Sequence, residues 1–190
     1  MNPRTKFLLL VALFIVPTIA SFIAFYFFPP TRTTNYGTLI LPVVLLPEVP
    51  LARLDTGREV IAAGLRGKWL MVTRDSGLCE EGCQKKLYAM RQARLILGRD
   101  QDRVQRVVLL DDDVPPSAEL QSTYEGTIWI SAKSHPWLAA LPVASEDVSG
   151  RSSIYAVDTM GNVFMRYAAD PDIKRFSNDF QRVLKASQIG

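Results

Sequence analysis

The sequence predicts an α/β domain that follows an N-terminal transmembrane helix. A long uncharged apolar run lies near the start of the chain, and compact apolar runs then alternate with segments of helical periodicity. Strands that are apolar along their whole length are typical of a sheet covered by helices on its faces. The remaining chain is long enough to bury a core unaided, so we expect one folded domain.

The apolar run of residues 7–28 predicts a membrane anchor. A helix of that length, rising about 1.5 Å per residue, spans the hydrocarbon core of a bilayer. Arg4 and Lys6 precede it, and basic residues favour the cytoplasmic side, so residues 1–6 are expected in the cytoplasm. A cleaved signal peptide is the alternative, but the run is longer than the core of a typical signal peptide.

The charge of the chain excludes a class of partners. The formal net charge is +3, and Arg4 and Lys6 contribute part of it, which leaves about +1 for the exported region. A nearly balanced domain does not predict binding to nucleic acid. The single histidine excludes zinc sites built from several histidines.

The segment between the anchor and the domain is rich in proline. Residues 29–50 therefore predict an extended tether, and residues 51–190 the folded domain. The apolar residues 39–46 suggest that part of the tether packs on the domain. Asp55-Thr56-Gly57 is a turn signal between two short strands.

Local patterns then predict the elements of the domain. Compact apolar runs that suit buried strands are residues 69–73, 104–110 and 127–130. Helical spacing or a helix-start signal marks residues 87–97, 117–124, 134–141 and 173–184. Residues 154–158 and 163–167 flank the turn Met160-Gly161-Asn162 and predict a hairpin. The predicted order is β-α-β-α-β-α-β-β-α.

Cys79 and Cys83 are the only cysteines, and they form a C-x-x-x-C pair directly after the first buried strand, at the start of a helix. Exposed N–H groups and the dipole of a helix N-terminus stabilise thiolate, which attacks disulfides and binds soft metals. A structural disulfide is the usual interpretation of two exported cysteines. So short a ring would stabilise the fold little, however, because the entropic benefit grows with loop length.

Dithiol exchange would assign different roles to the two cysteines. Cys79, nearer the end of the strand, is predicted to be the exposed attacking thiol, and Cys83, one turn into the helix, the resolving thiol. The two glutamates between them oppose thiolate formation, while the helix N-terminus and Lys85 or Lys86 favour it. We expect a modest net lowering of the thiol pKa.

Other polar residues have interpretations that do not require a catalytic role. The run Asp111-Asp112-Asp113 predicts a solvated turn rather than a Ca²⁺ or Mg²⁺ site. Asp75 is predicted to cap the strand-to-helix turn, with a proton relay as the alternative. His135 is predicted at a helix start, in a capping or surface role. Met71 and Met90 are expected in the core.

Lys85, Lys86, Arg91 and Arg94 are predicted on polar faces of the helix that follows the cysteines, away from its apolar face. The helix also has a basic side. The arginines on it are Arg91, Arg94, Arg99 and Arg103. A solvated face is the simpler interpretation, and contact with anionic lipid or an acidic partner is the alternative.

Several motifs resemble the Sco/SenC family. The anchor, Leu65-Arg66-Gly67-Lys68-Trp69, the C-x-x-x-C pair and the closing hairpin and helix are similar to these membrane-tethered thioredoxin-fold proteins. Asn35-Tyr36-Gly37, Asp75-Ser76-Gly77-Leu78-Cys79 and Lys86-Leu87-Tyr88-Ala89-Met90-Arg91-Gln92 resemble a bacterial branch of that family. The resemblance covers residues 35–190. It implies a thioredoxin-like fold with an N-terminal transmembrane helix.

The resemblance also implies a location and partners. A single-pass protein of the bacterial inner membrane is expected, with a cytoplasmic N-terminus and a periplasmic domain. The family is implicated in maturing the copper centre of cytochrome c oxidase, so oxidase subunits or other assembly factors are the implied partners.

One departure from the family pattern concerns copper. Members that bind copper carry a histidine before the closing hairpin, which should fall near Gly150, and this sequence has none there. Two thiolates suit Cu(I), whereas Cu(II) requires an imidazole or similar donor. We therefore expect thiol–disulfide exchange on copper-site cysteines by Cys79 and Cys83, which makes the protein a candidate oxidoreductase. The alternatives are a Cu(I) chaperone with the same two cysteines as ligands, and a scaffold with a structural disulfide.

Overall fold

The computed structural model describes residues 2–28, 34–54, 57, 59–60, 65, 67–145, 147 and 149–187, and divides the chain into units Met1–Thr34 and Asn35–Gly190. The first unit contains helix α1 (Pro3–Phe27), which is long and apolar enough to cross a membrane and has no buried residue. The rest of the fold lies in the second unit.

The second unit alternates strands and helices. Its strands are β1 (Thr38–Leu45), β2 (Leu51–Arg53), β3 (Glu59–Val60), β4 (Trp69–Asp75), β5 (Val104–Leu110), β6 (Thr127–Ser131), β7 (Ser153–Val157) and β8 (Asn162–Ala168). Its helices are α2 (Glu81–Ile96), a 3₁₀ helix (Gly98–Arg103), α3 (Ala118–Thr123), α4 (Pro136–Ala140) and α5 (Ile173–Ala186). From β4 onward the α-helices and strands follow the predicted β-α-β-α-β-α-β-β-α order.

The strands of the described chain form one mixed sheet in the order β1-β8-β7-β4-β5-β6-β2-β3. Strands β4, β5 and β6 are parallel, and β7 and β8 run antiparallel to their neighbours. The carboxyl ends of β4, β5 and β6 therefore meet at one edge of the sheet, where β7 begins. Ligands of open α/β sheets bind outside such an edge.

The two faces of the sheet carry separate cores. Successive side chains of a strand point to opposite faces. In β4, Met71 packs with Met90 of α2 and Phe176 of α5, while Leu70 and Val72 join the cluster that contains Trp137 of α4. Met71 and Met90 are fully buried, as predicted.

The closing hairpin follows the predicted turn chemistry. In Asp158, one carboxylate oxygen accepts hydrogen bonds from the backbone N–H groups of Met160 and Asn162, at 2.8 and 2.9 Å. Gly161 has φ +94°, a left-handed conformation that favours glycine. The hairpin prediction is confirmed.

The two outermost strands of the sheet, β1 and β3, are irregular or short. Strand β1 pairs with β8, but its register shifts between Leu39 and Val44, and Pro42 lies within the shifted stretch. Strand β3, at the other edge, has two residues and pairs with β2. Residues 38–45 of the predicted tether thus belong to the sheet. Of the turn predicted between β2 and β3, Gly57 is described, while Asp55 and Thr56 lie outside the described residues.

Candidate functional site

Cys79 and Cys83 form a disulfide at the junction of β4 and α2, with their Cα atoms 5.0 Å apart. Cys79 lies in the loop before the helix, and Cys83 lies in its first turn, three residues after the N-cap Glu80. The structure therefore brings both predicted site residues to the predicted helix start.

Both cysteines are buried in the disulfide form. Cys79 is 1% exposed and Cys83 is 3% exposed. They belong to an apolar cluster with Tyr124, at the end of α3, and Trp129 of β6. The prediction that Cys79 is exposed is therefore wrong for the disulfide form, because residues distant in sequence pack around it.

The loop that carries Cys79 has an unusual backbone. Cys79 has φ +45°, a left-handed conformation that costs a non-glycine residue on the order of 1–3 kcal/mol. Its N–H donates to the carbonyl of Ser76 at 3.1 Å, which closes a tight turn before the helix. The surrounding structure must hold this conformation in place.

Asp112 and Gly77 hold the loop against the segment after β5. In Asp112, Oδ1 accepts hydrogen bonds from the N–H groups of Gly77 at 3.1 Å and Val114 at 3.2 Å. A Cβ at position 77 would lie 1.7 Å from the carbonyl oxygen of Val114, so only glycine fits. Burial raises the pKa of Asp112, but hydrogen bonds from Ser76, Gly77 and Val114 outweigh it and hold the pKa below its usual range.

Lys86 is a buried cation on the same helix as Cys83. Its side chain is 0% exposed, and Nζ lies 2.7 Å from a carboxylate oxygen of Asp75. Nζ also donates to the carbonyls of Arg74, at 2.8 Å, and Arg151. Burial lowers the pKa of Lys86, and the carboxylate of Asp75 partly opposes this effect. The prediction that Lys86 lies on a polar face of α2 is wrong, because position 86 is three residues after Cys83 and shares its buried stripe.

Asp75 has the predicted capping role and a second one. Its Oδ1 accepts a hydrogen bond from the N–H of Ser76 at 2.9 Å, which confirms the cap of the strand-to-helix turn. Its Oδ2 forms the ion pair with Lys86. Asp75 thus connects the end of β4 to the second turn of α2 through Lys86.

Asp111 links two arginines at the same edge. Its Oδ2 lies 2.7 Å from Nε of Arg74, and its Oδ1 lies 2.5 Å from Nη2 of Arg151. Its side chain is 4% exposed, so the prediction of a solvated turn is wrong for this residue. Burial raises the pKa of Asp111, but the two guanidinium groups outweigh it and keep the pKa below its usual range. Asp113 does lie at the surface, where it pairs with Lys133.

The position at which the family resemblance implies a histidine holds a constrained glycine. Gly150 has φ +69°, and its N–H donates to Oδ1 of Asp147 at 2.8 Å. A Cβ at this position would lie 2.8 Å from Nη1 of Arg74. The neighbouring Arg151 contributes a guanidinium group that pairs with Asp111 and cannot act as a metal ligand.

His135 is committed elsewhere. Its Nδ1 accepts a hydrogen bond from the N–H of Trp137 at 3.2 Å, and its Nε2 lies 3.1 Å from the carbonyl oxygen of Pro50. The first bond caps α4, as predicted, and the second requires Nε2 to carry the proton. Neither ring nitrogen is available as a ligand.

The donor set limits the metals that the site would fit. Within the described ranges, no group of three or more histidine, cysteine, aspartate or glutamate residues is placed to hold a metal ion. Reduction of the disulfide would provide two thiolates, which fit Cu(I) in low coordination. The residues do not fit a site that adds an imidazole to two thiolates.

Comparisons with known proteins agree with the fold. A family model described as a transmembrane-like, thioredoxin-like C-terminal domain matches residues 69–187. No curated protein matches the chain in sequence. The apo Sco1 protein of Thermus thermophilus is similar in structure, with a TM-score of 0.63 and 18% identity over 81% of this chain and 99% of that one.

Two further structures broaden the comparison. Copper-bound ScoI of Bradyrhizobium japonicum has a TM-score of 0.57 and 17% identity, over 73% of this chain and 98% of that one. The bacterioferritin comigratory protein of Xanthomonas campestris, studied for alkyl peroxide reduction, has a TM-score of 0.53 and 15% identity, over 75% and 96%. Identities this low show a shared thioredoxin-like fold, which confirms the predicted fold class.

Proposed function

Because the chain belongs to the family of transmembrane-like, thioredoxin-like C-terminal domains, we propose that it is a membrane-anchored dithiol protein that exchanges disulfides with cysteine pairs of other proteins. The observation that carries this proposal is the Cys79–Cys83 disulfide at the start of α2. Helix N-termini stabilise the thiolate on which exchange depends.

The energetics of the disulfide support a redox role over a structural one. A ring that closes five residues stabilises a fold by about 2 kcal/mol in the chain-entropy model, against about 3 kcal/mol for a 15-residue ring. The left-handed conformation of Cys79 costs on the order of 1–3 kcal/mol. The stabilisation that reduction would remove is therefore small, and any relaxation of Cys79 in the reduced state would offset part of it.

The proposed reaction transfers two electrons from the reduced pair to a target disulfide. The Cys79 thiolate attacks one target sulfur and breaks the target S–S bond, and the released thiolate takes up a proton. The Cys83 thiolate then attacks the Cys79 sulfur of the mixed disulfide. This step restores the Cys79–Cys83 bond and releases the target as a dithiol. A separate dithiol reductant must regenerate the reduced pair.

The position of the two cysteines supports this assignment of roles. Cys79 lies in a loop, and the preceding residue Leu78 is exposed. A small movement of the loop would therefore expose the sulfur of Cys79 to a target disulfide. Cys83 is held within the first turn of α2 and suits the resolving step. The charge of Glu81, which would oppose a thiolate, is largely offset by Lys85, whose Nζ lies 2.8 Å from its carboxylate.

The finer proposal concerns location and target. Arg4 and Lys6 before the membrane helix support a cytoplasmic N-terminus, an inner-membrane location and a periplasmic domain. The motifs shared with Sco proteins support the copper-site cysteines of cytochrome c oxidase as the target. Such cysteines must be reduced before they bind copper, which a dithiol donor would accomplish.

A second candidate function is the carriage of Cu(I) as cargo. It is favoured by the two adjacent thiolates of the reduced pair and by the copper bound to the structural neighbour from Bradyrhizobium japonicum. Gly150 and Arg151 supply no third donor, so the site would hold copper only as Cu(I), through the two thiolates.

The test compares the full chain, in an uncharged detergent, with Cys79→Ser and Cys83→Ser. The reduced proteins are mixed with a peptide that contains a disulfide, and the products are separated by mass. We expect the unmodified protein to release reduced peptide, Cys83→Ser to accumulate a mixed disulfide through Cys79, and Cys79→Ser to do neither.

A redox titration separates the alternatives. Exchange predicts a reduction potential above about −300 mV, whereas a structural bond lies below that value. Reduction of the peptide by the variant that lacks both cysteines would contradict the proposal. One equivalent of Cu(I) bound tightly enough to block exchange would favour copper carriage.

A further inference from the structure

A polar pocket lies away from the disulfide. It has a volume of about 220 Å³ and is formed by α2, the end of α3, the turn that follows α3 and the start of β5. The residues that line it are Arg91, Arg94, Leu95, Arg106, Ser122, Thr123 and Glu125. Leu110 of β5 belongs to the apolar cluster around the disulfide. Arg106 lies four residues before Leu110, which is about 13 Å at the rise of a strand. The pocket is therefore separate from the Cys79–Cys83 site.

The central residue of the pocket is a buried arginine. Arg106 is 5% exposed, and its Nη2 donates to the carbonyl of Glu125 at 2.5 Å. Its Nε and Nη1 are buried and have no hydrogen-bond partner among the residues that the structure describes. The same holds for Oγ1 of Thr127, which is paired with Arg106 across the parallel strands. Buried polar groups almost always have a partner, and an unsatisfied charged donor is costly.

Like charges surround this arginine. Burial, together with the charges of Arg94 and Arg91, lowers the pKa of Arg106 to about 10. Asp102 compensates part of this charge, through a contact of 3.1 Å with Nη2 of Arg94. Glu125 also lines the pocket. Three guanidinium groups with two acidic neighbours leave an excess of positive charge.

We propose that this pocket binds a phosphate group, either as inorganic phosphate or as the phosphomonoester of a lipid headgroup. Guanidinium groups donate charge-assisted hydrogen bonds to phosphate oxygens, and Nε and Nη1 of Arg106 are two donors without a partner among the described residues. Arg91, which also lines the pocket, supplies a further guanidinium group. The volume corresponds to about seven waters and is below the range of about 300–1,000 Å³ for larger organic ligands.

The binding test uses inorganic phosphate and the full chain in an uncharged detergent. Calorimetric titration is performed at constant ionic strength, with chloride as the reference anion. We expect saturable binding of one phosphate per chain and a rise of the melting temperature with phosphate, because a ligand that binds the folded state stabilises it. Absence of saturable binding would overturn the proposal.

Three variants locate the site. Arg106→Met and Arg91→Ala should each weaken phosphate binding by about ten- to a hundredfold. Arg91 is exposed, so its replacement leaves the core unchanged even if Arg106→Met fails to fold. Arg99→Ala removes the same charge from the adjacent 3₁₀ helix, outside the pocket, and should bind phosphate as the unmodified chain does. Equal losses in Arg99→Ala and Arg91→Ala would overturn the proposal.

A final comparison identifies the source of the phosphate group. The chain is placed in nanodiscs of phosphatidylcholine, with and without phosphatidic acid, and inorganic phosphate is titrated into both. If a lipid headgroup occupies the pocket, phosphatidic acid should weaken the apparent affinity by at least about tenfold. If the ligand is free phosphate, both affinities should be equal. Either result supports the site, provided that Arg91→Ala weakens the binding by about ten- to a hundredfold.

Discussion

Replacing Lys86 with methionine should destabilise the thioredoxin-like domain strongly. Methionine has an unbranched side chain of similar length, so it fills the space without creating a large cavity. What is lost is the ammonium group, which lies 2.7 Å from Asp75 and donates to the carbonyls of Arg74 and Arg151. The carboxylate of Asp75 would remain buried, with the Ser76 N–H as its described hydrogen-bond donor.

The expected magnitude follows from the burial of the pair. Removing one partner of a buried ion pair costs about 3–5 kcal/mol, which includes the charge left without compensation. A typical domain has a free energy of unfolding of about 5–15 kcal/mol, so the loss is a large fraction of the total. With a denaturant dependence of about 2 kcal/mol per molar urea, the unfolding midpoint should fall by about 2 M.

Urea unfolding of the full chain in detergent measures this change. All three tryptophans lie in the unit Asn35–Gly190, so their fluorescence reports on the domain rather than on the membrane helix. Lys85→Met is the matched control, because Lys85 is exposed and its ion pair with Glu81 lies at the surface. Its midpoint should be nearly unchanged.

A double-mutant cycle tests the reason for the loss. Asp75→Asn removes the charge that Lys86→Met leaves behind, so the double variant should be at least about 1 kcal/mol more stable than the sum of the single effects predicts. Additive effects, or a cost of less than about 1 kcal/mol for Lys86→Met, would refute the argument that this pair is a buried and coupled interaction.

Two further predictions concern the same edge of the sheet. Gly77→Ala should lower the melting temperature by about 6–12 °C, since its Cβ collides with the Val114 carbonyl at a cost of about 3 kcal/mol. In Gly82→Ala the new Cβ meets no atom within 4 Å, so melting at the same or a higher temperature is expected, and equal losses in the two variants would contradict this reasoning. Asp111 has a lowered pKa, so its stabilisation is present above about pH 4 and is lost as the pH falls through the folded-state pKa. Asp111→Asn should therefore lower the free energy of unfolding at pH 7 and make that free energy less dependent on pH in acid. Urea midpoints measured from pH 7 to acid pH test this, and the same acid dependence in both proteins would contradict it.

Local signals in the sequence were sufficient for much of the fold. His135 followed by Pro136 predicts a helix start, and the structure shows the imidazole capping α4. The turn Met160-Gly161-Asn162 predicts the hairpin because glycine accepts the left-handed conformation there. The dithiol was placed correctly since both the strand before it and the helix after it have strong patterns.

The partners of charged residues could not be predicted from local patterns. Lys86 was assigned to a polar face, although its spacing from Cys83 and Met90 places it on the buried stripe of α2. Asp111 pairs with Arg74 and Arg151, which come from different strands and loops, so no local pattern contains the interaction. Arg106 lies in an apolar run. The two-residue period of a strand places it on the same face of β5 as Val104 and Val108, and this signal could have identified it as buried.

The outermost strands β1 and β3 have a consequence for the protein at a membrane, where anchoring raises its local concentration. An exposed strand with a continuous row of N–H and C=O groups invites another chain to extend the sheet, and leads to aggregation. In β1 the shifted register and Pro42, which has no N–H, interrupt that row, and β3 is too short to offer one. These interruptions therefore disfavour the pairing of neighbouring copies through their outermost strands.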